Sequence, residues 1–405
     1  MSPSPLPGTS LVATNTERFD NWIRTHFVEL NSRLEGLYWV QDDRANVDGI
    51  GEKEKLQLEH EGKILIHALV DEGNTDEGFD HAFELLGNVG LYMAACRRHE
   101  ITEPSREMTS PLTEASALAM QIGASIGVTP RFSTAHLTTH NRAYNGHYKR
   151  FTDLEDEKLF VDYNTRGILA YKRAADALLK IQPLGVSHPT SADLLRVTEQ
   201  ALRDVLESNH NLFRTLDVER FFYCVRPYYK PYRVGSQVYR GANAGDFAGI
   251  NVIDILLGLC FPNEQSYAQM LVDKFLYMMP EDQEILRNCM RLPNYMDEFL
   301  ATTAHSTENW YQTNLPLFLS VCELHGKTAI QHHDQLVKNY IVTPSSTLAR
   351  HHLEKLTASG PPIDVLVASL EKLRDRRAAA DRPDLRTRYA DIKLLRSTLS
   401  PGEKT

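Results

Sequence analysis

Apolar residues return at steps of three and four almost from the start of the chain. Phe19, Trp22, Ile23, Phe27, Leu30 and Leu34 make one such stripe, the pattern of a helix that buries a single face. The same period predicts helices over 52–72, 78–98, 111–126, 158–182, 190–209, 217–226, 246–260, 264–278, 281–300, 309–341 and 363–376. Alternating runs bounded by turn residues, which strands require, are missing, so the expected fold class is all-α. Connections rich in polar residues, Pro or Gly fall at 99–110, 127–157, 183–190 and 227–245.

The pattern also divides the chain. Residues 1–17 lack periodicity and read as a flexible tail; 18–150 form a smaller N-terminal helical part and 151–376 a larger one. Residues 377–405, beginning at the second arginine of RRAAADRPDLRTR, are charged and weakly patterned, which predicts a peripheral helix and a frayed end. The 53 acidic and 44 basic residues are interspersed and sum to -9, leaving no basic stripe for a phosphate backbone, so nucleic acid is not an expected partner. No apolar stretch approaches the roughly 20 residues of a membrane span, and the opening lacks a positively charged leader region. The expectation is a cytoplasmic protein without membrane contact. Five widely spaced cysteines, none in a C-x-x-C pair, argue against a disulfide framework, a zinc ribbon and the C-x-x-C-H attachment of c-type haem.

Four segments hold candidate chemistry. His136 and His140 in HLTTH have the i, i+4 spacing of paired metal ligands, but no Glu follows His136 and the flanking Thr, Asn and Gly weaken a helix, so satisfied or solvated histidines are the expectation. GANAG, Gly241 to Gly245, precedes a core-patterned helix and reads equally as a plain turn. Arg226 ends FFYCVR among Phe221, Phe222, Tyr223, Tyr228, Tyr229 and Tyr232. There it suits a bidentate carboxylate clamp, or a cation at the carbonyl end of a helix. His333, in TAIQHHDQLVKNYIV, shares a helix face with Val337 and Ile341; a histidine among aliphatics can ligate haem iron or be a core residue.

Taken in order, these segments resemble the indoleamine/tryptophan 2,3-dioxygenase superfamily, and especially its bacterial branch containing monodechloroaminopyrrolnitrin synthase. HDQLVKNYIVTPSS is similar to the family's proximal segment, YRGANAGDFAGINVIDILLGL to the run that lies against the haem, and FFYCVRPYYKP to its substrate helix. The likeness extends through Arg98, His99, PRFSTAHLTTHN and LEDEKLF, covering most of 78–345. The resemblance implies an indoleamine-dioxygenase-like helical haem protein with His333, not His332, as iron ligand. It sets Gly241, Asn243, Ala244 and Gly245 against the cofactor, and Phe221, Phe222 and Arg226 on the ring and carboxylate of an aromatic amino acid. It further implies non-covalent haem b, since Val337 stands where some relatives have a cysteine, with O2 or H2O2 as co-substrate. The distal stretch EASALAMQIGAS offers Ser116 or Ala117 and no histidine, which leaves the reaction open. Oxygenation, rearrangement of a tryptophan derivative and non-catalytic haem sensing are the three readings.

Overall fold

The computed structural model describes residues 14–72, 78–343 and 363–399. Helices dominate, as the periodicity requires. Within the segment expected as a tail, residues 1–13 lie outside the described part, and Thr14 already caps α1 (Asn15–Arg24). Its hydroxyl accepts from Glu17 N at 3.2 Å while Glu17 returns a carboxylate to Thr14 N at 2.8 Å, satisfying two amides that a helix start leaves open. The first apolar stripe breaks at Thr25, where α2 (His26–Trp39) begins, yet every member of the stripe stays buried.

Two clusters of buried side chains organise the rest. The first joins α1, α2, α3 (Glu52–Glu72), α4 (Phe79–Arg98) and α5 (Thr113–Ile126). Helix α4 is buried around its whole circumference from Ala82 onward, which marks it as the centre of this half. The cluster also takes buried residues from between 212 and 242 of the larger predicted part, among them Phe221, Tyr228 and Tyr232. The second cluster is built on two long packed helices, α6 (Glu155–Ile181) and α7 (Pro189–Thr215), with α9 (Gly249–Leu256), α10 (Gln265–Phe275), α11 (Pro280–Cys289), α12 (Tyr295–Ala301) and α13 (Asn309–Gln331).

Three further expected helices are interrupted. The 281–300 span divides around Pro293, and Asn294 caps the second piece by accepting from Asp297 N at 2.9 Å. The 217–226 span is a short α8 (Val218–Arg220), a π turn (Phe221–Val225) and a 3-10 turn (Arg226–Tyr229). The 309–341 span is α13 followed by a π segment, His332–Val342. Among the described residues one small hairpin, β1 (Tyr232–Val234) with β2 (Gln237–Tyr239), turns through Gly235 at φ 57°. Strands of three residues are too short to show alternation.

The charged C-terminal part is less peripheral than its composition suggests. Beyond α14 (Ile363–Arg377), Ala379, Leu395 and Leu399 enter the second cluster, the latter two on or just after α15 (Tyr389–Ser397). No helix among the described residues is long and apolar enough to cross a membrane.

Candidate functional site

The π turn is what assembles the Phe221, Phe222 and Arg226 group. In an α-helix five residues overshoot a full turn by roughly 140°, so Phe221 and Arg226 would point apart. Here the Arg226 backbone N–H donates to Phe221 O, an i→i−5 bond that brings the two into line. All three are buried, and the Arg226 guanidinium carbon lies 5.6 Å from the centre of the Phe222 ring. Phe221 packs on Phe160 with ring centres 4.9 Å apart. Burial pulls the Arg226 pKa down to about 10. A guanidinium this enclosed is not a solvated helix end.

Behind the turn sits a buried polar cluster. Arg98 makes a two-pronged pair with Glu35 at 2.8 and 2.7 Å and donates to Tyr223 O at 3.0 Å. His99 meets Asn31 Oδ1 at 2.8 Å and the Tyr38 hydroxyl at 3.0 Å. These contacts pin the backbone that carries Arg226.

His333 lies at the start of the second π segment, its side chain only 4% exposed. Its Nδ1 stands 3.1 Å from Asp334 Oδ1 and 3.2 Å from Arg374 Nη1. The two neighbours ask for opposite tautomers: the carboxylate accepts from Nδ1–H, whereas the guanidinium would need a lone pair there. With the proton on Nδ1, Nε2 carries the lone pair, and Nε2 is buried without a hydrogen-bond partner among the described residues. A metal ion would satisfy it. Val337, one turn on, is buried on the same face; the side chain of Ile341 and residues 344–346 lie outside the described part. His332 is exposed. The two π segments touch, so the structure brings His333's element against that of Phe221 and Phe222.

The Gly241–Gly245 loop is held by its own polar groups. Asp246 takes Arg240 at 2.6 and 3.0 Å and Asn243 N at 3.0 Å, and Asn243 Oδ1 accepts from Gly245 N at 2.8 Å. Thr134 Oγ1 donates to Asn243 O at 2.8 Å. Gly241 is buried, Asn243 exposed, and Ala244 and Gly245 half-buried. Helix α5 packs chiefly on α3, α4 and β1; its Ser116 hydroxyl is buried without a partner among the described residues, while Ala117 is exposed. His136 is stacked 3.8 Å from Phe83, hydrogen-bonded through both ring nitrogens to the Phe83 carbonyl and the Ser133 amide, and pushed by burial down to about 3. Among the described residues no group of three or more His, Cys, Asp or Glu could hold a metal ion.

Sequence reading missed the network linking these parts. Asp254, fully buried on α9, accepts from Arg377 twice at 2.7 Å, from His325 Nε2 at 2.7 Å and from the Tyr267 hydroxyl at 2.8 Å. Burial alone would raise its pKa, but Arg377 and the His325 bond outweigh that and hold the carboxylate well below its usual range. Asn251, one turn earlier, donates to Tyr267 and accepts from Lys274, whose Nζ lies beside Gly245. Helix α14 therefore carries both Arg374, on His333, and Arg377, on Asp254.

These features define an all-α protein with an unsatisfied buried imidazole nitrogen and a ring-framed buried arginine on touching segments. A sequence model of the monodechloroaminopyrrolnitrin synthase (PrnB) family matches residues 13–399. The chain belongs to that family, which is one of enzymes.

Proposed function

We propose that this chain is a haem-dependent, oxygenase-type oxidoreductase of secondary metabolism acting on an aromatic amino acid, tryptophan- or tyrosine-derived. The observation that carries the reading is His333: its Nε2 is buried and has no hydrogen-bond partner among the described residues. The name of the matched family favours a tryptophan derivative. Haem b, when bound without covalent attachment, supplies the oxidising chemistry with O2 or H2O2. The chain supplies the rest. Asp334 holds the His333 tautomer that presents Nε2, Arg226 grips the substrate carboxylate, and Phe221 and Phe222 frame its ring and exclude water. Gly241, Asn243, Ala244 and Gly245 would line the cofactor's edge, and Ser116, rather than the exposed Ala117, would be the polar group of the distal helix.

His333→Ala should lose haem on gel filtration while His332→Ala retains it; equal retention would sink the assignment. Haem extractable into acidified ketone confirms non-covalent b-type binding. Oxygen-18 in the product separates oxygenation from ring rearrangement, which family membership keeps as the second reading. A haem sensor would show no selective Soret response to aromatic amino acids.

A further inference from the structure

The loop 128–137 is keyed into notches on two helices. A Cβ at Gly90 on α4 would lie 2.2 Å from Phe132 N, one at Gly87 would lie 2.4 Å from the His136 ring, and one at Gly123 on α5 would lie 2.9 Å from Val128 O. Only glycine allows this approach, so the loop has little freedom to move. It carries Arg131, 2% exposed, into the wall of a narrow cleft, partly open to solvent, with room for about one water molecule. Phe83, Thr129, Ser133, His136 and Tyr277 share that wall.

Arg131 spends one donor, Nε, on Phe132 O at 2.8 Å. Its Nη1 and Nη2 are buried and have no hydrogen-bond partner among the described residues; neither has Thr129 Oγ1 in the same wall. Rings of Phe132 and Tyr232 lie 4.8 and 5.1 Å from the guanidinium carbon, but rings accept no strong hydrogen bond. The carboxylate that reaches it electrostatically, Asp246, is already gripped at both oxygens by Arg240. Burial lowers the Arg131 pKa, and the neighbouring acidic groups offset this only in part. A buried guanidinium with unfilled donors and a countercharge shared with another arginine is costly in general, and a rigid loop keeps it from swinging out into solvent. His136, neutral by burial, adds no competing charge.

We infer that Arg131, with Thr129, forms a second anion site, distinct from Arg226, that takes a carboxylate between Nη1, Nη2 and the Thr129 hydroxyl. The carboxylate has two possible carriers. One is a free small acid entering from solvent. The other is the propionate of the proposed haem, since Thr134 of the same loop bonds Asn243 of the Gly241–Gly245 run. The second source rests on the haem reading; the first does not.

Formate is the probe for the first source. At fixed ionic strength, with MOPS as the bulky counter-anion, formate should raise the unfolding temperature of the haem-free chain. Arg131→Met should weaken that response by about ten- to a hundred-fold in formate concentration, the scale of a lost charge-assisted hydrogen bond. Without formate, the variant should be no less stable than the parent, because it removes an uncompensated charge. Thr129→Val should fold in either case and weaken the response to a lesser extent. For the second source, Soret titrations with haem and its dimethyl ester should show a preference for the free acid that Arg131→Met abolishes. Either result supports the site and names the carrier. A formate response and an ester discrimination both unchanged in Arg131→Met and Thr129→Val would overturn it. Failure of the haem reading shows separately, as haem loss unaffected by His333→Ala.

Discussion

Replacing Arg377 by methionine tests the network beneath the proposed site. The substitution keeps the bulk of the chain's aliphatic stem and removes two 2.7 Å bonds to Asp254, a carboxylate with no exposure of its own. His325 and Tyr267 still donate, so the carboxylate is not stripped, but its countercharge is gone. Breaking a buried pair from one side costs about 3–5 kcal/mol, and we expect that loss in urea unfolding of the full chain at pH 7. The sign of the pH dependence follows from Asp254. In the parent its folded pKa lies below the unfolded value, so its contribution is present above about pH 4 and fades as pH falls further. In the variant, burial without the arginine raises the folded pKa above the unfolded one, so the penalty is complete at neutral pH and relieved as the acid protonates. The gap between parent and variant should therefore close from about pH 6 downward. The double variant Asp254→Leu, Arg377→Met should recover most of the loss, since an apolar replacement leaves no orphaned charge. A gap that stays constant from pH 7 to pH 4, or a double variant as unstable as the single one, would show that Arg377 matters only as packing.

Arg226→Leu should keep the fold yet lose about 2–5 kcal/mol of affinity for the amino-acid substrate, while tryptamine or tyramine, lacking the carboxylate, loses little; equal losses by Soret titration refute the clamp. Gly90→Ala should destabilise by about 1–3 kcal/mol or more, because its Cβ meets the Phe132 backbone at 2.2 Å. Gly36→Ala on α2, with nothing within 4 Å, should be neutral or mildly stabilising in the same thermal melt. Glu35→Ala strands the buried Arg98 and should cost about 3–5 kcal/mol, a loss that Arg98→Met in the same chain largely reverses.

What could be read from the chain was whatever a local period carries. The stripe from Phe19 to Leu34 survives a break at Thr25 because burial depends on the face, not on an unbroken helix. The partners of Asp254 were beyond reach for the opposite reason: His325 and Arg377 lie 71 and 123 residues away, and no short-range pattern ties them together. The C-terminal segment misleads in its own way. Arg377 and Arg388 look like solvated charge in RRAAADRPDLRTR, yet Arg377 neutralises a core aspartate and Arg388 donates to Asp297 at 2.6 Å. Composition records that a charge exists and is silent on what compensates it.

The two π segments show why the candidate site was legible only in part. A +4 step stays near one face whether a turn holds the α number of residues or about one more, so the His333 and Val337 relation could be read without knowing the geometry. The +5 step from Phe221 to Arg226 has no such tolerance. Under α geometry it separates the ring from the guanidinium, and only the i→i−5 bond from Arg226 N to Phe221 O unites them. A helical template applied to FFYCVR therefore leaves the arginine looking like a helix end, and a carboxylate clamp stays level with a dipole effect. The extra residue in the turn tells against the solvated helix end, because it buries Arg226 beside Phe222 instead of releasing it to solvent.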